Sequence, residues 1–585
     1  MLCQLIERDQ AQSTFNVIKY LFWLLSLCLF NQVFGQSIPV VGYGAVEDYL
    51  RRGQLLENIS DKYSFSRRSL SFVNDDSSYI NDVRYLWEGN SVFDQEKFKV
   101  AVLPLQNRFQ SNTKIPYGSN DGAFIPAVGA QNLLSLGLHI KYGRLTSQLR
   151  PEYIFARDLD YDGFPSVHYD IIWMWRYIWW NRIDQPEKLT NGKYNKILPG
   201  QSLVKYSFDH FSVGISTQNI WWGPGHRNAI ILSNNAQGFP HLFVETNAPV
   251  VTAVGSFEGQ FIAGKIENSG KPLPQQARTY YGATLFSPKR NKWRYISGIN
   301  FSWQPKWVKG LFLGYNKTKQ LYHDDLAHFQ DFIPVFNRKE NPFEAPIIGQ
   351  SNSSHQSSVF LRWVFQPESA EIYAEYGNHG KPRKFRRWLE EPEKNRGYTL
   401  GLTKLFPLRN KQYLQFQIEV TQLQQSQREG IFDADSWYSD DYIRQGFTHK
   451  GQLLGAGIGP GGNSQYLDFS WIRGINRIGI QLERITHDND WMLYAFSRTG
   501  DYRRHWIDFT AGLHIDWKIS NLLLSAKAVY VRSINYQWEL VFDPDLPWFR
   551  NGRDVTNFHP AISCTIPLQW NKNYFSFLPG PRRAK

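Results

Sequence analysis

The chain has 585 residues, of which 42% are hydrophobic, 16% aromatic and 20% charged, and its formal net charge is +13. A mean hydropathy of −0.45 and the lack of serial apolar 20-residue runs exclude a polytopic helical membrane protein. The 44 glycines and many aromatic residues argue against disorder and a coiled coil, and three cysteines are too few for a disulfide scaffold. The composition therefore favours a large, aromatic-rich, β-dominated protein.

The first 35 residues predict a signal peptide. Lys19 precedes the apolar residues 20–30, and small and polar residues follow up to Gly35, which is the pattern of a cleaved secretory signal. A membrane anchor is the alternative, but the apolar run is too short to span a bilayer. Because an exported basic protein rarely meets nucleic acid, we expect anionic lipid or an acidic polysaccharide as its partner, and no nucleic acid.

Residues 36–98 differ in pattern from the chain that follows. In residues 46–58, Val46, Tyr49, Leu50 and then Leu55 or Leu56 recur at helical spacing, with Gly53 as an interruption. We predict a small helical or mixed region here, ahead of a long β-rich part.

Residues 412–421 show the pattern that dominates this β-rich part. Leu414, Phe416, Ile418 and Val420 fall on one face of a period-two strand, and polar residues fall on the other. The same alternation is present in residues 359–366, 477–483 and 506–517. Strands of a soluble sandwich average five to six residues, whereas these runs reach about ten and carry aromatic residues near their ends. The pattern predicts an all-β fold, a transmembrane antiparallel β-barrel with an apolar lipid face and a polar lumen.

One aromatic run fits the same scheme. Residues 171–180 (IIWMWRYIWW) are too few for a spanning helix and include Arg176. As a strand, the run places Ile171, Trp173, Trp175, Tyr177 and Trp179 on one face. We therefore predict a strand here.

We assign residues 99–578 to the barrel and residues 579–585 to a C-terminal tail. One strand with its share of loops takes about 25–30 residues, which gives about 16–18 strands, and a single-chain outer-membrane barrel is expected to have an even number. Phe575 and Phe577 alternate with Ser576, as in a last strand.

The apparent motifs for catalysis, cofactor binding and metal binding lack the structural context that such sites require. Gly457, Gly459 and Gly462 satisfy a dinucleotide-binding spacing, but the stretch is a loop rather than a strand followed by a helix. Glu371 and Glu375 resemble paired catalytic carboxylates, although strand alternation produces such pairs as lumen lining. A calcium site is the alternative to a plain acidic loop for the cluster Asp433, Asp435, Asp440 and Asp441. We favour the acidic loop, and predict no catalytic, cofactor-binding or metal-binding residue and no enzyme.

Residues 219–236 (NIWWGPGHRNAIILSNNA) combine tryptophans, a Gly-Pro-Gly turn, an aliphatic run and paired asparagines. This central motif resembles that of the Wzi family of capsule-assembly outer-membrane proteins, and residues 48–56, 116–123 and 449–464 resemble the same family. The resemblance implies an 18-stranded barrel of the cell outer membrane with an N-terminal helical periplasmic region. It implies a non-enzymatic role in assembling capsular or extracellular polysaccharide and attaching it to the cell, with outer-membrane lipid and other polysaccharide-export components as partners.

Four residues of the central motif are candidates for glycan binding. Trp221 and Trp222 can stack on sugar rings, while Asn234 and Asn235 can hydrogen-bond hydroxyl groups. The alternative, which we favour, is structural: the tryptophans act as anchors and the asparagines satisfy loop backbone. A porin or transporter for small solutes is the alternative function. The length of the chain and its PRRAK ending differ from the family pattern, which leaves glycan specificity open.

Overall fold

A computed structural model describes the part of the chain that forms the barrel and its N-terminal segment. The described residues are 37–38, 42–72, 77–95, 97–190, 192–336, 352–380, 385–425, 436–496, 503–541 and 551–568. The predicted signal peptide, the predicted tail, Phe575 and Phe577 lie outside them.

One antiparallel sheet of 24 strands dominates the fold. Its strands are Asn90–Gln95, Phe98–Val102, Leu105–Asn112, Gly129–Ser135, Leu138–Tyr142, Leu145–Leu149, Glu152–Arg157, Lys193–Leu198, Leu203–Ser207, Phe211–Ser216, His241–Thr246, Val250–Thr252, Gly255–Ile266, Arg294–Pro305, Leu311–Tyr322, Ser354–Phe365, Ala370–His379, Arg396–Pro407, Gln412–Gln422, Asn463–Arg473, Asn476–Thr486, Ile507–Ile519, Leu522–Ile534 and Val555–Ile566.

Strand pairing follows a simple meander that returns to its start. Each run pairs with the next along the chain, and Val555–Ile566 pairs with Leu105–Asn112, where Ala561 lies opposite Gln110. Five runs are interrupted by two to four residues, so that two strands form one span, and Asn90–Gln95 is an additional strand beside Phe98–Val102. Counted in this way, the described residues form eighteen spans, as the family resemblance implied.

The two faces of the sheet are inverted relative to a soluble protein. In Gln412–Gln422, Gln415, Gln417 and Glu419 are buried, whereas Ile418 is 39% exposed. Asn476–Thr486 behaves in the same way up to Glu483, with Ile478, Ile480 and Leu482 outward and Arg477, Gln481 and Glu483 inward. An apolar outer face and a polar interior are what lipid outside and a lumen inside require. The predicted alternation of faces is confirmed.

The two ends of the barrel differ. Turns of two to five residues join the strands at one end, for example residues 143–144 and 474–475, whereas the connections at the other end are long, for example residues 158–192 and 423–462. Outer-membrane barrels have short periplasmic turns and longer extracellular loops. The short-turn end therefore corresponds to the periplasm and the long-loop end to the outside.

The structure also contains helices and short strand pairs outside the 24-stranded sheet. The helices are α1 (Gly44–Leu55), α2 (Ser78–Glu88), α3 (Asp170–Trp180), α4 (Phe329–Phe332), α5 (Phe385–Glu390) and α6 (Asn489–Phe496), with 3₁₀ turns at His323–Asp325, Gln366–Glu368 and Tyr536–Trp538. Two-residue strands pair Ser37–Ile38 with Leu70–Ser71, Arg67–Arg68 with Trp221–Trp222, Thr279–Tyr280 with Ala283–Thr284, Thr448–His449 with Gln452–Leu453, and Leu540–Val541 with Asn551–Gly552. Within the described ranges, each helix is too short or too polar to cross a bilayer.

The strand predicted for residues 171–180 is wrong, because these residues form helix α3 in a long loop. Ile172, Trp173, Tyr177 and Trp180 are its buried residues, and they follow helical rather than alternating spacing. The helix packs against α6 at the long-loop end. A run that is apolar at almost every position satisfies both periods, so its tertiary partner decides between them.

The N-terminal segment lies inside the short-turn end. Helix α1, predicted from residues 46–58, is present, and its residues from Tyr49 to Leu55 are buried. Gln304 donates a hydrogen bond to the Asp61 carbonyl at 2.8 Å, and Gln366 donates one to the Gln54 carbonyl at 3.2 Å. We call residues 42–72 the plug. The domain boundary proposed at residue 98 stays a prediction.

Lipid exposure of the outer face predicts a steep, position-dependent cost for charge. Leu400, near the middle of Arg396–Pro407, is 49% exposed, and Leu408, in a short turn, is 44% exposed. Leu400→Arg should lower the free energy of unfolding by about 2–4 kcal/mol, because it places a charge in hydrocarbon, whereas Leu408→Arg at the interface should cost about 0–1 kcal/mol. Reversible urea unfolding in lipid vesicles measures both. Equal losses would contradict the assigned depth.

Candidate functional site

The central motif lies inside the barrel rather than on its surface. Trp221 and Trp222 form a short strand opposite Arg68 and Arg67 of the plug. Trp222 is fully buried, and its indole donates a hydrogen bond to Gln260 on the barrel wall at 2.8 Å. The Trp221 ring is 5% exposed and has the Arg68 guanidinium 5.1 Å from its centroid. Both tryptophans are therefore occupied by protein contacts.

The Gly-Pro-Gly turn accepts hydrogen bonds from two arginines of the plug. Arg51 donates to the Pro224 carbonyl at 3.0 Å, and Arg68 donates to the Gly223 carbonyl at 3.2 Å. Gly223 has φ +136°, and a Cβ there would lie 2.8 Å from Glu375 on the wall. Glycine is thus required by both backbone conformation and space. We call the contact of Arg51, Arg67 and Arg68 with residues 221–225 the latch.

Acidic residues of the barrel wall hold the next part of the motif. The Glu419 carboxylate accepts hydrogen bonds from the backbone N–H groups of His226, Arg227 and Asn228 at 2.8, 3.0 and 2.7 Å, and from the Tyr373 hydroxyl at 2.7 Å. A carboxylate with this many donors is well satisfied inside the lumen. Glu419 therefore fixes the conformation of the loop that follows the latch.

Glu371 joins the wall, the plug and the motif at one point. Its carboxylate is paired with Arg51 at 2.9 Å and accepts hydrogen bonds from Arg362 and His226, each at 2.8 Å. All of these side chains except that of His226 are essentially buried. Glu371 and Glu375 face the lumen, as predicted for lumen lining. Because buried ions need partners on every side, the three elements are mutually dependent.

Beyond the latch, the motif contributes to an apolar core within the lumen. Ile230, Ile231 and Leu232 pack in one buried cluster with Trp437 and Tyr438 of the long loop that follows Gln412–Gln422. The Tyr438 hydroxyl donates to the Ile230 carbonyl at 2.8 Å. The two family-like stretches at residues 219–236 and 449–464 are thus parts of one packed body.

The two asparagines of the motif differ in their surroundings. Asn234 is 4% exposed and donates to the Asn120 carbonyl at 3.0 Å. Asn235 donates to the Leu453 carbonyl at 3.3 Å and also lines an open cavity at the long-loop end. Of the four candidate residues, Asn235 alone is among those lining this cavity. A glycan-binding role for the four residues stays a prediction.

The cavity, which we call the aromatic cavity, has a volume of about 280 Å³. Half-buried rings of Tyr117, Tyr161, Trp179 and Trp506 contribute to its wall. Sugar rings stack on aromatic faces of this kind, although His487 already stacks on Trp506 at 4.0 Å between ring centroids and the Arg182 guanidinium lies 5.8 Å from the Trp179 centroid. The sequence did not indicate this cavity, because its rings come from three separate loops.

Arg176 of α3 forms part of the floor of the aromatic cavity. Its guanidinium lies 4.8, 5.1 and 5.0 Å from the ring centroids of Trp180, Trp491 and Trp538, and 3.2 Å from Asp488. Burial raises the pKa of Asp488 to about 6, although Arg176 opposes this shift. The cation and its aromatic surroundings hold α3 and α6 in place. The aromatic run with its single arginine is the feature of the sequence from which this arrangement could have been found, although we predicted a strand there.

The acidic cluster for which a calcium site was the alternative is only partly described. Within the described ranges, no group of three or more His, Cys, Asp or Glu side chains could hold a metal ion. Asp440 accepts hydrogen bonds from the backbone of Tyr442 and Ile443, and Asp441 pairs with Arg182 at 2.6 Å. Asp433 and Asp435 lie outside the described residues.

The latch predicts a large effect for a single buried arginine. Arg51→Met removes one of the two arginine partners of Glu371 and the donor to the Pro224 carbonyl, and breaking a buried pair costs about 3–5 kcal/mol. We expect a loss of that order in unfolding free energy and faster amide hydrogen exchange in α1. Arg84→Met is the matched control, because Arg84 is 28% exposed and 3.9 Å from Glu88, and should cost at most about 1 kcal/mol. Unchanged exchange in the Arg51 variant would contradict the latch.

Comparison with known proteins places this architecture in a family. The family model described as capsule assembly protein Wzi matches residues 124–536. The solved structure of Escherichia coli Wzi, an outer-membrane protein involved in group 1 capsule assembly, is similar with a TM-score of 0.56 and 11% identity, covering 92% of this chain and 100% of that chain. Pseudomonas aeruginosa OccK5 has a TM-score of 0.36 and 10% identity, covering 81% and 99%. No curated protein sequence matches. Since the family model spans well over half of the sequence, this chain belongs to the Wzi family of capsule assembly proteins.

Proposed function

We propose that this outer-membrane β-barrel binds capsular or extracellular polysaccharide at its long-loop end and retains it on the cell, without catalysing a reaction. The observation that carries this proposal is the contrast between a packed lumen and an aromatic cavity at the long-loop end. The solved Escherichia coli relative is described as a carbohydrate-binding β-barrel involved in capsule assembly. Family membership and cavity chemistry therefore support the same partner.

The packed lumen argues against the alternative of a diffusion channel. The plug fills the short-turn end, the central motif and residues 436–462 form a core beyond it, and the latch joins the two. A porin needs a water-filled lumen. Opening this lumen would expose the buried ion pairs of Arg51 and Glu371, which are 2% and 1% exposed.

Charge and aromatic surface suit a polymer of sugars. The net charge of +13 attracts an acidic polymer. At physiological ionic strength, salt screens this attraction beyond about 8 Å. Half-buried Tyr and Trp rings add contacts that salt hardly affects. We therefore infer binding that weakens with salt but persists. Contact with other polysaccharide-export components stays a prediction.

Deletion and binding experiments test the proposed function together. A deletion strain should shed polysaccharide that the parent strain retains, measured as cell-bound against released polymer. The purified protein in detergent should bind the strain's own polysaccharide and not an unrelated neutral glycan. Unchanged cell-bound polymer together with no binding would eliminate the assembly role.

A second measurement separates the polysaccharide-binding protein from a porin. Proteoliposomes that contain the folded protein should swell no faster in small sugars than protein-free liposomes, because the lumen is packed. A general porin reconstituted at the same protein-to-lipid ratio is the positive control. Rapid swelling with this protein would favour the channel function.

A further inference from the structure

A second cavity lies directly beside the aromatic cavity. This charged groove has a volume of about 680 Å³ and lies near the seam where Val555–Ile566 meets Leu105–Asn112. Its lining includes Lys114, Asp162, Arg532 and Arg553. Tyr161 and Tyr536 line both cavities. The groove and the cavity are therefore the two sides of one aromatic partition.

The partition is held in place by hydrogen bonds from both tyrosines. The Tyr536 hydroxyl donates to the Asp162 carbonyl at 2.9 Å, and the Tyr161 hydroxyl donates to the Glu187 carbonyl. With both hydroxyl groups used in this way, the rings present fixed faces to either side. Fixed rings lower the entropy cost of binding.

The inner cavity ends on the packed core of the lumen. Leu453 and Ile458 line the cavity and also belong to the buried cluster that contains Trp222 and Trp437. A polymer that reaches this core meets packed side chains rather than open lumen. This closed inner side suits the end of a chain better than an internal segment.

The charges of the two compartments differ. Glu187 and Asp488 line the inner cavity together with Arg176, so an acidic sugar would meet like charge there. In the outer groove, Arg532 pairs with Asp554 at 2.8 Å, and Arg553 pairs with Glu539 at 2.8 Å and also with Asp162. The lining residue Asp160 pairs with Lys188. Lys114 is exposed, and among the described residues it has no ion-pair partner. The groove thus keeps one free cation for an anionic group.

We propose that these two compartments form one cleft that captures the end of a polysaccharide chain. A neutral terminal sugar occupies the aromatic cavity against Trp179, the chain passes over Tyr161 and Tyr536, and the following acidic sugars lie in the groove near Lys114. This assignment rests on the polysaccharide-binding function proposed above, and it adds the location, the polarity and the end-specificity of binding.

Paired variants on one helix test the inner half. Trp179 lines the cavity, whereas Trp175, also half-buried on α3, packs against Tyr494 at 4.6 Å between ring centroids and is not a lining residue. Trp179→Ala should weaken binding of own-strain polysaccharide about tenfold, because it removes a stacking surface. Trp175→Ala should leave binding unchanged, and Trp179→Phe should retain most of the wild-type affinity. Equal binding by all three folded variants would overturn the inner site.

Exposed lysines test the outer half without risk to folding. Lys114→Gln should weaken binding and reduce its salt dependence, whereas Lys97→Gln, an exposed lysine at the short-turn end, should do neither. Identical behaviour of the two variants would overturn the groove. This comparison remains decisive if Trp179→Ala fails to assemble.

Competition by fragments of different length tests end-capture directly. Size-fractionated oligosaccharides of the own-strain polysaccharide should compete in proportion to the molar concentration of chain ends. Competition in proportion to sugar mass would overturn end-capture in favour of internal binding. If the wild-type protein binds neither polymer nor fragments, the proposed function itself fails, and this result differs from all of those above.

Discussion

In the hydrocarbon of a bilayer, every backbone N–H and C=O group must find its partner within the protein, and this requirement determines the rest of the structure. Pairing between Val555–Ile566 and Leu105–Asn112 satisfies it by returning the ladder to its first strand. The same pleat that exposes Ile418 to lipid turns Gln417 and Glu419 inward. A polar lumen is thus a consequence of the wall, and the charges placed in it need partners.

The plug and the central motif supply those partners. Glu371 and Glu419 lie on wall strands, yet their donors come from Arg51 of the plug and from the backbone around Arg227. Removing either element would leave buried carboxylates without enough donors, which is far more costly than leaving surface charges unpaired. The latch at Gly223 therefore links the periplasmic and extracellular halves of the interior, and it explains why so distinctive a motif lies away from solvent.

Local patterns predicted the wall, whereas long-range contacts determined the site. Alternation in Gln412–Gln422 predicted its faces, because lipid and lumen impose their chemistry residue by residue. The same rule gave a wrong prediction for the aromatic run of α3. Apolar residues at nearly every position fit both the strand period and the helix period, and the partner helix α6 is some 300 residues away. Pairing of Trp221 with Arg68 and the position of Asn235 on the aromatic cavity likewise depend on contacts between distant segments.

A cleft that captures chain ends has a consequence for how a polymer is retained. Internal binding would let many copies hold one chain, so that avidity compensates for weak individual sites. End-capture allows one protein per chain end, and retention then depends on the dissociation rate of a single complex. Slow dissociation is favoured by a rigid binding site. Arg176 and its surrounding rings hold α3 in place, and the packed core lies behind the cavity. Pre-organisation lowers the cost of ordering the site, so more of the contact energy remains to slow dissociation.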